Sequence, residues 1–465
     1  VASATYPEFD RELFLVDTDE VPIDQRIRVL TKDDGDDLTD DTVEKDFWTA
    51  FFGQTGKKPE ALVLGRLVKT AIPPAFICGT VDETVATWEL IESGSFTVTD
   101  SDSHSVSVTG LDFDGITAFS QVVPILNAAL AALVAPTIVG LDDATFAEDA
   151  LGRLVLSMPS GQDDTDPTIS ITYSGTPGTV PYLLGLTASG AGTSVEGNAI
   201  ETLLESYTAV KDFTNSFYNI AVEDRTGSTY TERLALAAQV ETERKQLTFV
   251  DTDAAAVNGA VSTDLQSRLD LLDYERSLVI YTEHTTDYPD AAADGKFLRA
   301  EPGTRQYGHS PLTGVYPSGS IGSEYDLSST HRSALEDKGC NYVVQAGGST
   351  FVHRGKVAKG IEKRLVMFRD WLESYIQVDV FNLDMNEDFV GFDEQTLGAI
   401  AGIFEKYLEE GIERKGILSY EITMPSLDDF TTAEKTSGDM VLSNVFTAVG
   451  RFEAHTFQIT GSITV

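Results

Sequence analysis

KQLTFVD, residues 245–251, sets Leu247, Phe249 and Val250 in a short apolar run that closes on a carboxylate. It is too brief for a helix, and it follows directly on TERLALAAQVETERK (231–245), where apolar residues recur at helical spacing. The same rhythm surrounds it. GNAIETLLESYTAVKDF (197–213) reads as a helix, while RSLVIYTE (276–283) and NYVVQAGG (341–348) read as further strands with no polar face. Helices alternating with fully apolar strands predict an α/β core domain, with a mixed, largely parallel sheet and flanking helices. ALVLGRLV (61–68) has the same buried-strand character but stands far upstream, so the core is read as interrupted by an insertion and then resumed.

Charge marks the interruption. Between Lys69 and Lys211 the only basic residue is Arg153, although acids stay frequent. Within that block SGSFTVTDSDSHSVSVTGLDFDGI alternates with period two as a hairpin, and ITAFSQVVPILNAALAALV (116–134) reads as a helix interrupted near Pro124. RLVLSMPSG (153–161) and PTISITYSG (167–175) add two short strands. The expected division is an N-terminal acidic arm and start of core at 1–40, a first core segment at 41–81, an inserted, protruding, outward-facing α+β domain at 82–192, a second core segment at 193–451 and a C-terminal arm strand at 452–465.

Downstream, GIEKRLVMFRDWLESYIQVDVFNL (360–383) sets Ile361, Leu365, Phe368, Leu372, Ile376 and Val380 on one helical face, and DEQTLGAIAGIFEKYLEEGI (393–412) follows as a second helix. HRGKVAKGIEKR (353–364) holds the one basic concentration along the chain: Arg354, Lys356, Lys359, Lys363 and Arg364. Residues 17–46, with TKDDGDDLTDD, are its acidic opposite.

The chain has 465 residues, 42% of them hydrophobic, enough for more than one folded domain. Its 74 acids against 33 Lys plus Arg give a formal charge of −41, a field that repels nucleic acid and anionic membranes. Such an excess suits a protein kept hydrated in concentrated salt, so a salt-loving source is an expectation. Cys78 and Cys340, each among apolar neighbours, are expected as buried free thiols. The first residues lack the basic start and apolar core of a signal peptide, and no run approaches 18 apolar residues, so the expectation is a chain made and kept in the cytoplasm, without membrane insertion.

Catalytic signals are sparse. Asp251 and Asp253 close one strand and Glu283 and His284 another, residue types that together can ligate a divalent metal or exchange protons. Carboxylates at strand ends also cap turns, and a chain with so many acids produces such coincidences. SGAGTSVEGN (189–198) is glycine-rich and reads as opening a helix, but it lacks the Lys-Ser/Thr of a phosphate loop, so a domain junction is its expected role. The six histidines show no metal-site spacing, and PSGSIGSE around Ser320 has its glycines at the wrong offsets for a nucleophile elbow. No catalytic residue, cofactor or metal is expected.

FWTAFFGQTGKKPEALVLGRLV (47–68), a helix ending Phe-Phe-Gly-Gln, a short turn with proline and a strand ending Gly-Arg, resembles the N-terminal motif of one family of contractile tail sheath subunits of myoviruses. The resemblance continues in order: the SGSF…LDFDGIT hairpin, PYLLGLTASGAGTSVEGNAIETL (181–203) as the exit from an insertion, FRDWLESYIQVDVFNL with Trp371, Leu372, Ile376, Gln377, Val380 and Asn382, and the ending GRFEAHTFQITGSITV (450–465). It covers the chain from about residue 40. EEGIERKGILSYEITMPSL (409–427) departs from it, lacking the Pro-Gly expected after the penultimate helix.

The resemblance implies a structural protein and no enzyme. Its subunits would polymerise helically around a tail tube in a virion, with baseplate and tail terminator proteins as further partners, and contract to drive the tube through the host envelope for genome delivery. Terminal arms would join the sheets of neighbouring subunits. On that plan Phe457, Ile459, Ile463 and Val465, one face of the final strand, and the basic residues Arg354, Lys356, Lys359, Lys363 and Arg364 are candidate intersubunit contacts. The bland reading of the first group is pairing within the chain's own sheet, and of the second a solvated helix start. A metal-dependent hydrolase built on Asp251, Asp253, Glu283 and His284, or a surface-layer or adhesin protein, are the alternatives.

Overall fold

The computed structural model describes residues 8–459 apart from 164, 175, 188–191, 224–229, 261, 300, 320–326, 387–392, 415, 432–445 and 451–455; at 384–386, 446–450 and 456–459 it describes the backbone alone. The chain divides into two compact units, one of Val1–Leu15, Val29–Val63 and Thr214–Val465, the other of Val16–Arg28 and Leu64–Phe213.

The apolar runs form an eight-stranded sheet, in the order Ser349–Val352, Asn341–Ala346, Ser277–Tyr281, Gln246–Asp251, Asn219–Val222, Arg11–Val16, Ala61–Arg66, Ile27–Leu30. The pairs from Arg11–Val16 through Asn219–Val222, Gln246–Asp251 and Ser277–Tyr281 to Asn341–Ala346 are parallel, and Ser349–Val352 turns back antiparallel. Every residue of Gln246–Asp251 and of Ser277–Tyr281 is buried, so both faces of the sheet are covered and neither strand shows alternation. Arg11–Val16 lies inside this sheet. The apolar alternation of RELFLV is broken by its buried Glu12, so neither this strand nor NIAV (219–222) carries a clear sequence signal.

The helix Val43–Phe52 shows how local chemistry sets an element. Thr42 caps it by accepting from the Lys45 amide, Glu44 and Asp46 lie in the first turn, and Gly53 closes it by donating to Thr49 O. Phe47 stacks on Phe14 of the sheet with ring centroids 3.7 Å apart. The helix Pro289–Phe297 passes so close that a Cβ at Gly295 would stand 2.1 Å from Phe51 O, so only glycine fits there.

Two long helices follow, Lys363–Asn386 and Glu394–Glu413. Leu365, Phe368, Leu372, Ile376 and Val380 are buried as the spacing predicts, whereas Ile361 precedes the helix. Trp371 meets Tyr407 of the second helix edge-on, centroids 5.8 Å apart. After Arg414, Gly416 donates to Gly411 O at 3.0 Å and the chain enters the strand Ile417–Ile422.

The other unit is α+β. The hairpin Gly94–Asp100 and Ser105–Leu111 joins Ile169–Ile171 in one antiparallel sheet, and Thr193–Val195, Ala75–Ile77, Leu154–Ser157 and Thr145–Glu148 form another. Trp88, Phe96, Phe113, Leu126, Leu130, Phe146 and Leu156 share its core. Two expectations are corrected here. Pro124 does not interrupt the helix Val122–Ala131: it is the third residue, where its missing N–H has no helical acceptor to lose. The described part of SGAGTSVEGN contributes the strand Thr193–Val195, and the next helix starts only at Leu203. Arg153, the only Lys or Arg between Lys69 and Lys211, grips Asp24 through both Nη atoms (3.0 and 2.6 Å) and Asp149 through Nε and Nη2 (2.9 and 2.6 Å).

Candidate functional site

The C-terminal segment forms a three-stranded antiparallel sheet of Ile417–Ile422, Phe446–Gly450 and Thr456–Ile459. Phe457 faces Ala448 across the ladder and Ile459 faces Phe446. Thr456–Ile459 thus has one edge paired within its own chain, and it stands at the rim of the sheet order. Ile463 and Val465 lie outside the described residues.

The basic stretch divides. Lys363 has no exposure: its Nζ donates to Asp294 Oδ1 at 2.7 Å and to Thr248 Oγ1 at 2.6 Å, and stands 4.5 Å from the centre of the Tyr307 ring. Arg364 is 3% exposed and pairs with Glu362. These two charges are held inside the subunit. Arg354 Nη1 donates to Glu336 O at 2.8 Å, from a backbone with φ of 74°. Lys356 is half-buried, and Lys359, the most exposed of the five, pairs with Glu275 at 2.8 Å and Asp273 at 3.1 Å. The structure thus places Arg354, Lys356 and Lys359 toward the surface.

Around Lys363 lies a polar network that sequence patterning did not reveal. Glu12, Asp290 and Asp294 are all fully buried, as is Lys363. Glu12 Oε1 accepts from Asn219 Nδ2 at 2.9 Å, while Glu12 Oε2 and Asp294 Oδ2 have no hydrogen-bond partner. Burial, followed by the charge of Asp294, holds the Glu12 carboxyl well above the usual range. Arg276 and Asp370 form a second buried pair, through Nη1 (2.5 Å) and Nη2 (2.8 Å), with Tyr218 donating its hydroxyl to Asp370 at 2.8 Å.

The strand-end acids serve their own loops. Asp251 Oδ1 accepts from the Asp253 amide at 3.1 Å, and Asp253 Oδ1 from the Ala255 amide at 2.8 Å. Burial pushes Asp251 up to about 6. His284 Nε2 donates to Pro317 O at 3.0 Å, and Glu283 stands 3.8 Å from His331. Among the described residues no three His, Cys, Asp or Glu side chains form a group able to hold a metal ion. Cys78 and Cys340 are free and buried. No described helix is long and apolar enough to cross a membrane.

A second basic group is assembled from distant segments. Beyond the C-terminal end of Val43–Phe52, Lys58 Nζ donates to Phe52 O and Gln54 O. Arg299 Nη1 reaches Thr55 O and Lys57 O, and its Nε donates to Lys296 O at 3.2 Å. Lys296 Nζ lies 3.3 Å from Thr55 Oγ1, and Arg305 Nη1 3.4 Å from Lys296 O. Gly56, at φ of 104°, leaves the room Arg299 needs: a Cβ there would stand 2.5 Å from Nη1. No sequence signal marks this group, because Lys57 and Lys58 are separated from Lys296, Arg299 and Arg305 by more than 200 residues.

No protein-family model and no curated protein matches the sequence. Among solved structures, the chain is similar to the sheath tail protein of Desulfitobacterium hafniense, at 11% identity and a TM-score of 0.51, covering 100% of this chain and 99% of that one. It is also similar to a chain of the anti-feeding prophage baseplate, at 12% identity and a TM-score of 0.38, covering 57% of this chain and 74% of the other. Over its whole length the chain has the fold of a tail sheath protein.

Proposed function

We propose that this chain is the structural subunit of a contractile viral tail sheath. The observation that carries the reading is a fold likeness spanning both chains almost end to end. In this reading subunits polymerise helically around a tail tube, between baseplate and tail terminator, and shorten to drive the tube through a host envelope. The energy resides in the assembled extended state. The block of residues 82–192, with its single basic residue, faces outward into solvent, and the acidic surface suits a salt-rich host.

The C-terminal sheet supports a role in joining subunits. Both Ile417–Ile422 and Thr456–Ile459 are rim strands of that sheet, and a rim strand offers unpaired amides and carbonyls to another chain. Phe457, Ile459, Ile463 and Val465 are proposed as the docking face of the final segment. Lys359, and beside it Arg354 and Lys356, are proposed to meet acidic surface of a neighbour.

Sedimentation of the purified chain tests the proposal. A sheath subunit runs as very large species of heterogeneous length. A discrete monomer or small oligomer at every concentration and salt overturns it.

A further inference from the structure

Opposite charges gather at the two ends of the helix Val43–Phe52, which is about 15 Å long. Before its first turn runs DDGDDLTDD, six aspartates in residues 33–41. The run is fastened to the helix: Trp48 Nε1 donates to Thr31 O at 2.9 Å, and Lys45 Nζ to Gly35 O. Asp33 is engaged with Lys32, Asp34 with Thr31, and Asp40 stands 3.6 Å from Lys45. Asp36, Asp37 and Asp41 are exposed and have no cationic partner among the described residues.

At the other end stand Lys57, Lys58, Lys296, Arg299 and Arg305. In a chain with more than twice as many acids as bases, none of these five is hydrogen-bonded to a carboxylate among the described residues. The side-chain donors of Lys58, Lys296, Arg299 and Arg305 go to backbone carbonyls and one hydroxyl. Asp10 feels the charge of Lys57, but its own carboxyl is raised by burial and by Glu60. The cations also act on one another. Lys296, 7% exposed, is lowered by burial and then by Arg299 and Arg305, and Arg299 by burial and then by Arg305. Lys296, Arg299 and Arg305 thus repel one another, and an incoming anionic surface relieves that repulsion.

We propose that this basic cluster is a docking surface for the acidic run Asp33–Asp41 of a second copy of the chain. Both surfaces are carried by one helix, at opposite ends, so the contact is head-to-tail. A head-to-tail contact repeats without closing on itself as a pair and builds a ring or a helical filament. The inference rests on the polymerising reading above and names a contact that such a polymer uses.

Two charge-reversed variants test it. Lys57→Glu, Lys58→Glu and Arg305→Glu together turn the cluster net negative, so that both ends of the helix are acidic; Asp36→Lys, Asp37→Lys and Asp40→Lys together turn the run, with Lys32 and Lys45 beside it, net positive, so that both are basic. Each variant alone should assemble at least about tenfold less readily, read as critical concentration in pelleting, because like charges then meet. Mixed one to one, they should co-assemble, since every contact in an alternating copolymer again joins opposite signs. Rescue on mixing also establishes that both variants are folded. Unchanged assembly of either variant overturns the docking surface and leaves the sheath reading standing, as does loss without rescue when both variants keep the wild-type circular dichroism. A wild-type chain that never assembles overturns both.

Discussion

Replacing Lys363 with methionine removes the cation that pairs with Asp294, at a site where Glu12, Asp290 and Asp294 are all fully buried. Asp294 Oδ1 then loses its charged donor. Breaking a buried pair from one side costs roughly 3–5 kcal/mol. The pH dependence follows from Glu12, whose carboxyl is raised by burial and by Asp294 and is lowered by Lys363. Without Lys363 it is pushed further up, and a carboxyl raised in the folded chain costs stability as pH rises, so the penalty shrinks as pH falls. Urea unfolding followed by tryptophan fluorescence reports on this region through Trp371, buried in the helix that begins at Lys363. Lys363→Met combined with Asp294→Leu should recover most of the loss, because an apolar pair of similar volume removes both charges. A loss of under about 1 kcal/mol, or one that does not change with pH, refutes the account of the pair.

Asp251, held at about 6 by burial, binds a proton in the folded chain that the unfolded chain releases from about pH 4 upward. Stability therefore falls by up to about 3 kcal/mol as pH rises from 4 to 6; Asp251→Asn should flatten that part of a urea midpoint series, and parallel curves count against it. Gly295→Ala sets a Cβ against Phe51 O and should destabilise by about 1–3 kcal/mol in thermal melts, with no change as the contrary result. Truncation after Arg451 removes the Thr456–Ile459 strand, and should leave subunits with wild-type circular dichroism that fail to form long assemblies; normal assemblies overturn the arm proposal. Charge reversal at Lys359 should weaken pelleting while costing the fold about 1 kcal/mol through its lost pairs with Glu275 and Asp273, and unchanged polymerisation excludes it as a contact.

The parallel core was legible because burial on both faces demands continuous apolar runs, as in KQLTFVD and RSLVIYTE. Glu12 hid the strand Arg11–Val16: a buried carboxylate breaks the pattern, and only the distant Asn219 and Lys363 explain how it is tolerated. Charge was legible as composition and misleading as location. The linear basic run at 353–364 sends Lys363 inward, because the core that closes over it contains Asp294. The basic group at Lys57, Lys58, Lys296, Arg299 and Arg305 exists only once the helices Val43–Phe52 and Pro289–Phe297 are packed together. Pro124 misled for a simpler reason, that a proline in a first turn starts a helix more often than it breaks one.

Electron micrographs of the purified full-length chain bear most directly on the central claim. A tail sheath subunit predicts long hollow tubes with regular cross-striations, whose helical reconstruction repeats this fold at each lattice point. Discrete particles that never polymerise, or flat two-dimensional sheets, contradict it.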